Sequence, residues 1–402
     1  MTKGEKGFVY SCLLFTLTSE MLLSPYYPQL FSEYFHMGTD GVQVTSVFIV
    51  CCRLIVIIMT PMWAVIAKRW SLGKLVTVTL VGMAGCKALL PMVHTFPQFL
   101  ATSLVLLFFQ SAIYLLYPAM VASSKNEGEK VKATTTYLFV LHGSVIVSGI
   151  AGSFVISEPL PLHSYYIFAL IDIILVVLSC FISLNNKAIT KERDVRNKER
   201  ALKGTKWQWG FLVYLLIVFL FYIGHHAIRP YFTTFFDSSY TISQQEAGIL
   251  YVMPSLVAIV MQFIFPKRYL QSHGKVILIG VTGVTGVLLF FQVLAGHIWL
   301  FVFIRVLYGM CFFVSFAAID IIFFQFGIGK KSPFLYSLVA SVQSTALLFA
   351  PMTAFISIQH NGMEGPFLLS GCLLIGAAVC MSLLFINGFK PLYVINKRSG
   401  RL

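Results

Sequence analysis

Ten residues able to carry charge or protons sit inside otherwise apolar stretches of the chain. They are Glu20, Arg53, Lys87, Asp172, Arg229, Arg305 and Asp320, with the histidines His142, His225 and His226. A charge at the centre of a bilayer costs at least about 2.5–3.5 kcal/mol on insertion scales, so each needs a reason to be there. Guanidinium forks match carboxylates and phosphates bidentately, and an unpaired, desolvated fork is unfavourable. Carboxylates and imidazoles in such places change protonation as their surroundings change. These residue types point to anion binding and proton transfer rather than bond breaking. The chain has no HExxH, no GxSxG and no Walker-type loop. Metalloprotease, serine-hydrolase and ATP-driven chemistry are therefore unsupported.

The elements that must hold these groups are membrane helices. The chain has 402 residues, 58% hydrophobic and 11% charged, with a mean hydropathy of +0.84. A soluble protein of this length would need more polar surface than these residues supply. A hydrocarbon layer of roughly 30 Å needs about 20 apolar residues per helix. Runs of that length recur near 8–31, 43–66, 75–93, 96–122, 133–156, 163–184, 209–236, 245–266, 275–295, 297–326, 333–356 and 364–387. They are continuous rather than alternating, which excludes a β-barrel. The first is too long for a cleaved signal peptide and carries Glu20 in its middle.

The formal net charge of +14 is a topology signal. Of the 29 lysines and arginines, 25 fall at one set of helix ends, eight of them between Lys187 and Lys206. The opposite ends, near 33–42, 94–96, 157–163, 237–244 and 357–364, hold none. Cytoplasmic loops retain Lys and Arg, so both termini are expected in the cytoplasm and the protein in the inner (plasma) membrane. A nucleic-acid partner is excluded on the same ground. The eight cysteines lie in apolar runs and form no CxxC pair, so neither a disulfide framework nor a metal site is expected. No cofactor is implied, and the protein is expected to act as a monomer.

The longest polar segment, 185–208, divides the chain into an N-terminal bundle at 1–184 and a C-terminal bundle at 209–402. The halves echo each other. Span 1 ends Ser24-Pro25-Tyr26-Tyr27 and span 7 ends Arg229-Pro230-Tyr231-Phe232, 205 residues later. The loop after span 2 reads KRWSLGKL and that after span 8 reads KRYLQSHGKV. Equivalent loops on one side imply parallel repeats. In this pattern the chain resembles the major facilitator superfamily over essentially its whole length. The loop Ala64–Lys74 keeps the family's basic ends but puts Lys68 at its acidic position. Span 5 offers Ser144–Ser153, small residues without the proline of the family's drug antiporters, and Arg305 and Gly309 leave an R-x-x-x-G remnant on span 10. The resemblance implies an all-α fold of 12 transmembrane helices in two pseudo-symmetric six-helix bundles, with spans 1, 4, 7 and 10 around a central cavity.

Depth arithmetic then selects the site. At 1.5 Å per residue, Glu20 lies about 18 Å into span 1 and Arg53 about 15 Å into span 2 from the other side, so the two meet. His225 and Arg229 are i, i+4, and Arg305 enters span 10 at a similar level. The expected substrate contacts are Arg53, Arg229, Arg305, Tyr26, Gln110, Tyr114 and Tyr117, the last three a stripe on span 4. Proton coupling is expected of Glu20, then of His225, His226 and His142. Lys87 and Asp172, at matching depth on peripheral spans, are expected to form a structural ion pair, and Asp320 a helix-end cap. The surplus of guanidinium over acid predicts a secondary active transporter for a small organic anion. The class includes polycarboxylates, carboxylate siderophores and phosphorylated metabolites, moved by alternating access with proton coupling. The alternatives are proton-driven efflux of multiple drugs or other amphiphiles, for which the 15% aromatic content would form an adaptable wall, and, more distantly, a non-transporting membrane receptor.

Overall fold

A computed structural model describes residues 2–67, 69–124, 127–182, 209–265, 267–325 and 333–386. The segment 185–208, and the domain boundaries drawn at it, lie outside the described residues. Among the described residues there is no strand. The principal helices are α1 (Lys3–Met21), α2 (Gly41–Ile66), α3 (Leu72–Leu89), α4 (Phe96–Ile113), α5 (Glu127–Val155) and α6 (Tyr165–Phe181) in the first half. The second half has α7 (Trp209–His226), α8 (Gln244–Ile264), α9 (Lys267–Val293), α10 (Ile298–Gln325), α11 (Pro333–Asn361) and α12 (Gly365–Ile386). Eleven stretches among the described residues are long and apolar enough to cross a membrane. The last, Leu338–Leu384, spans 47 residues and contains both α11 and α12, folded back at Gly362 with φ +65°. Twelve crossings result.

Proline decides where several helices stop. Its ring clashes with the carbonyl four residues earlier and it offers no N–H. Pro25 is four residues beyond Met21, the last residue of α1, and Pro230 is four beyond His226, the last of α7. Each helix then passes through a tight turn, Ser24–Tyr26 or Arg229–Tyr231, before resuming. Both pairs of boundaries are 205 residues apart, so the sequence repeat is a structural repeat. Pro118 acts likewise on Tyr114: α4 ends at Ile113 and a separate piece, Leu116–Ala122, continues the span.

Packing repeats as well. In the first half α3 packs on α4 and α6, α2 on α4, and α1 on α5; six helices later α9 packs on α10 and α12, α8 on α10, and α7 on α11. The halves meet along α5 against α8 and α2 against α11, which are the same pair of contacts under the repeat. Each half keeps its own apolar core. On α6 the residues Ile167, Leu170, Ile174, Val177 and Phe181 form one exposed stripe at helical spacing. Ala169, Asp172, Leu175 and Ser179 face inward.

The halves close over each other at the distal end, where α1 and α7 finish. Thr233 Oγ1 donates to the Pro25 carbonyl at 2.5 Å, and Gln29 Nε2 donates to Asp237. The Tyr231 hydroxyl reaches the carbonyls of Pro351 at 3.4 Å and Val42 at 3.5 Å. Beneath this seam α5 and α8 touch almost backbone to backbone. A Cβ on Gly248 would lie 2.6 Å from the Tyr26 hydroxyl, and one on Gly149 would lie 2.3 Å from Val252.

Candidate functional site

Below the seam, between the halves, lies a cavity of about 140 Å³. The broken end of α1 supplies Ser19, Glu20, Ser24 and Tyr27; α2 supplies Arg53; α4 supplies Gln110; and the matching break of α7 supplies His226 and Arg229. Ser24, Tyr27 and Arg229 lie past the proline breaks, and Ser19, Glu20 and His226 lie just before them.

Glu20 is the centre of the first-half wall. Its Oε2 accepts from Gln110 Nε2 at 2.9 Å and from the Tyr114 hydroxyl, and Gln110 also donates to the Tyr114 oxygen at 2.7 Å. Its Oε1 faces Arg53 Nη1 at 3.8 Å, an ion pair too long to be a hydrogen bond. One carboxylate therefore ties α1 to α4 and holds Arg53 of α2 at the cavity wall. With a pair of donors on one oxygen and the other turned to Arg53, the carboxylate is held in one position.

The second-half wall is positive. Arg229 lines the cavity and forms neither a hydrogen bond nor an ion pair among the described residues. It lies within electrostatic reach of His142, His225 and His226. His226 faces the cavity with its ring stacked on Tyr222 at 6.0 Å. His225 turns the other way, into an aromatic box of Phe221, Phe312 and Phe316, with Nδ1 3.2 Å from the Tyr308 hydroxyl.

Arg305 does not line the 140 Å³ cavity. It sits in a smaller side chamber of the second half, walled also by His225, Arg229, Tyr251 and Tyr308. Arg229 and Tyr251 belong to both spaces. Depth along a helix gave Arg305 its level; which side of α10 it occupied was not written in that depth. Its Nε donates to the Leu250 carbonyl at 3.3 Å and its Nη1 to Gln292 Oε1 at 3.2 Å. Leu250 is four residues before Pro254, so its carbonyl lacks the helical N–H partner and Arg305 takes that place.

The remaining expected residues are placed apart from the cavity. Tyr26 is fully buried between the halves, and its hydroxyl donates to the Gly149 carbonyl at 2.8 Å; neighbouring Tyr27 lines the cavity instead. Tyr117 falls beyond the Pro118 break, so it leaves the Gln110–Tyr114 stripe, stacks on Tyr137 at 4.0 Å and bonds Thr134. His142 lines neither space, and its Nδ1 has no hydrogen-bond partner. Lys87 Nζ of α3 lies 2.7 Å from Asp172 of α6, both essentially without solvent access. The side chain of Asp320 lies outside the described residues. The sequence reading missed Tyr27, Tyr251, Gln292 and Tyr308. Only Tyr308 carried a signal, standing three residues after Arg305 on one helix face. Among the described residues no group of His, Cys, Asp and Glu could hold a metal ion.

The sequence profile of the Major Facilitator Superfamily matches residues 9–223 and again residues 214–399. The chain belongs to the major facilitator superfamily. It is a multi-pass membrane protein and a secondary transporter, not an enzyme. The fold is similar to the crystal structure of a D-xylose-proton symporter, with a TM-score of 0.69 and 13% identity over 94% of this chain and 96% of that one. It is also similar to the crystal structure of the human organic anion transporter MFSD10 (TETRAN), with a TM-score of 0.61 and 14% identity over 95% of this chain and all of that one. Identities this low speak for the fold alone. No curated protein matches the chain.

Proposed function

We propose that this transporter carries a small organic anion, polycarboxylate-like in charge, and that proton movement through Glu20 drives it. The observation that carries the reading is Arg229. A guanidinium facing the cavity beside His226, without an acid partner among the described residues, is a charge left for a guest to neutralise. Arg53 is already matched by Glu20, so the surplus lies on the second-half wall. The cavity, at about 140 Å³, is close to the ~150 Å³ engineered cavity that accepts benzene. In this conformation it favours a guest of a few carbons, such as a dicarboxylate, over a carboxylate siderophore or a bulky drug, which need a wider state.

Coupling follows from the Glu20 cluster. Arrival of a proton on Glu20 frees Arg53 to meet the guest, and its departure restores the pair. The two bundles rock about the α5–α8 and α2–α11 contacts, with the termini cytoplasmic, the protein in the inner (plasma) membrane, and one chain sufficient for the cycle.

Uptake of labelled succinate into proteoliposomes, with and without an imposed pH gradient, tests the reading. Arg229→Gln is expected to lower uptake about 10- to 100-fold, the loss of one charge-assisted partner. Uptake within twofold of the wild type, or thermal stabilisation by cationic dyes alone, would sink it.

A further inference from the structure

The side chamber shares Arg229 with the central cavity but holds Arg305, which the Glu20–Arg229 scheme does not use, and its chemistry is lopsided. Arg305 is 5% exposed and all its described partners are neutral: the Leu250 carbonyl, Gln292 Oε1, and the faces of Phe232 at 4.2 Å and Tyr308 at 5.0 Å. Those contacts orient a guanidinium without cancelling its charge, and two of its five N–H groups are accounted for. A buried charge left without a counter-charge is strongly unfavourable. Bracing the Pro254 break explains the Nε bond and nothing more.

The neighbours bring no carboxylate among the described residues, and they leave polar atoms without partners. Gln292 is fully buried, gives its oxygen to Arg305, and leaves its Nε2 without a partner. His225, 3% exposed, lines the chamber and has Nε2 unpartnered. His225 Nδ1 and the Tyr308 hydroxyl share a hydrogen bond at 3.2 Å, and the tautomer in which that hydroxyl donates turns an Nε2–H toward a guest. Arg229 completes a wall in which no carboxylate appears. The free space is about 30 Å³, close to the share of one water in the liquid, so one monatomic ion or one carboxylate head fills it.

We propose that this chamber is a second anion site, which takes one small anionic group between Arg305, Arg229 and the His225–Tyr308 pair. The group is a free halide or the head of the transported guest reaching past Arg229. The first case stands whatever the central cavity carries; the second rests on the anion reading above.

The test uses the purified full chain in detergent, in a buffer whose only anion is a bulky sulfonate. Melting temperature is followed against chloride, bromide, acetate and succinate for the wild type, Arg305→Gln and Tyr308→Phe. A free-ion site predicts saturable stabilisation by chloride and bromide, with the half-saturating concentration raised at least about tenfold by either substitution. A guest-head site predicts no halide effect, and a similar weakening of succinate by both substitutions. Tyr308→Phe keeps the ring against Arg305 and removes only the hydroxyl, so it decides the matter even if Arg305→Gln does not fold. The proposal is overturned if halide and succinate responses are unchanged in the variants, or if no anion stabilises the wild type. Halide stabilisation without succinate uptake would remove the central-cavity reading and leave the chamber standing.

Discussion

The two halves hold their buried cations in opposite ways. In the first, Arg53 faces Glu20 and Lys87 faces Asp172, so each cation has an acid. In the second, Arg229 and Arg305 have no acid partner among the described residues. Under the 205-residue repeat His225 stands where Glu20 stands in the first half, and Arg229 where Ser24 stands. One backbone arrangement serves both bundles, but at these two matched positions the first half has an acid and a hydroxyl where the second has an imidazole and a guanidinium. The first half has a charge-balanced wall and the second a positive one. Fold symmetry therefore does not imply symmetry of task.

If the first half is balanced by pairing, removing one partner should be severe there and mild in the second half. Lys87→Met strands Asp172 in a solvent-free site and is expected to lower stability by about 3–5 kcal/mol. Lys87→Met with Asp172→Leu should recover most of that loss, read as midpoints of detergent-solubilised unfolding. Arg305→Met strands no acid and is expected to lower stability by less than half as much as Lys87→Met. Equal losses would break the comparison. Next in size, Glu20→Gln removes the proposed proton carrier while keeping an acceptor for Gln110. It should abolish the response of uptake to a pH gradient and leave exchange of internal for external substrate within about threefold, a shift below 1 kcal/mol. A variant still driven by the gradient would move coupling away from Glu20. Smallest, Tyr26→Phe deletes one buried hydrogen bond to Gly149 and should lower stability by about 0.5–1.5 kcal/mol without changing substrate affinity. A changed affinity would return Tyr26 to the site.

Much of this was legible in the chain before any fold was known. Continuous apolar runs gave the crossings, because a bilayer enforces helix length. Pro25 and Pro230 gave the repeat, because a proline acts on the carbonyl four residues back wherever it falls. Depth along a helix brought Glu20 to Arg53 and Lys87 to Asp172. Depth is one coordinate of two, however. Arg305 has the expected level and turns into a chamber of its own, and Tyr26 has the expected level and packs between the halves. Tyr117 left its stripe because Pro118 acts on the carbonyl of Tyr114 and interrupts the helix there, by the same rule. Tyr251 and Gln292 matter through contacts between distant helices, which no local pattern encodes.

The distal seam carries a consequence for speed. Its fastenings are a Thr233–Pro25 bond, a Gln29–Asp237 bond and the long reach of Tyr231 to Val42. Water can replace each of them when the halves part, so the neutral bonds contribute only about 0.5–1.5 kcal/mol net to staying shut and the bond to the Asp237 carboxylate about 1.5–3 kcal/mol. A latch of that strength releases on thermal agitation and needs no covalent or nucleotide-driven stroke. A few replaceable side chains at the rim, together with the α5–α8 packing beneath them, hold the shut state, and none of the three fastenings lines the cavity.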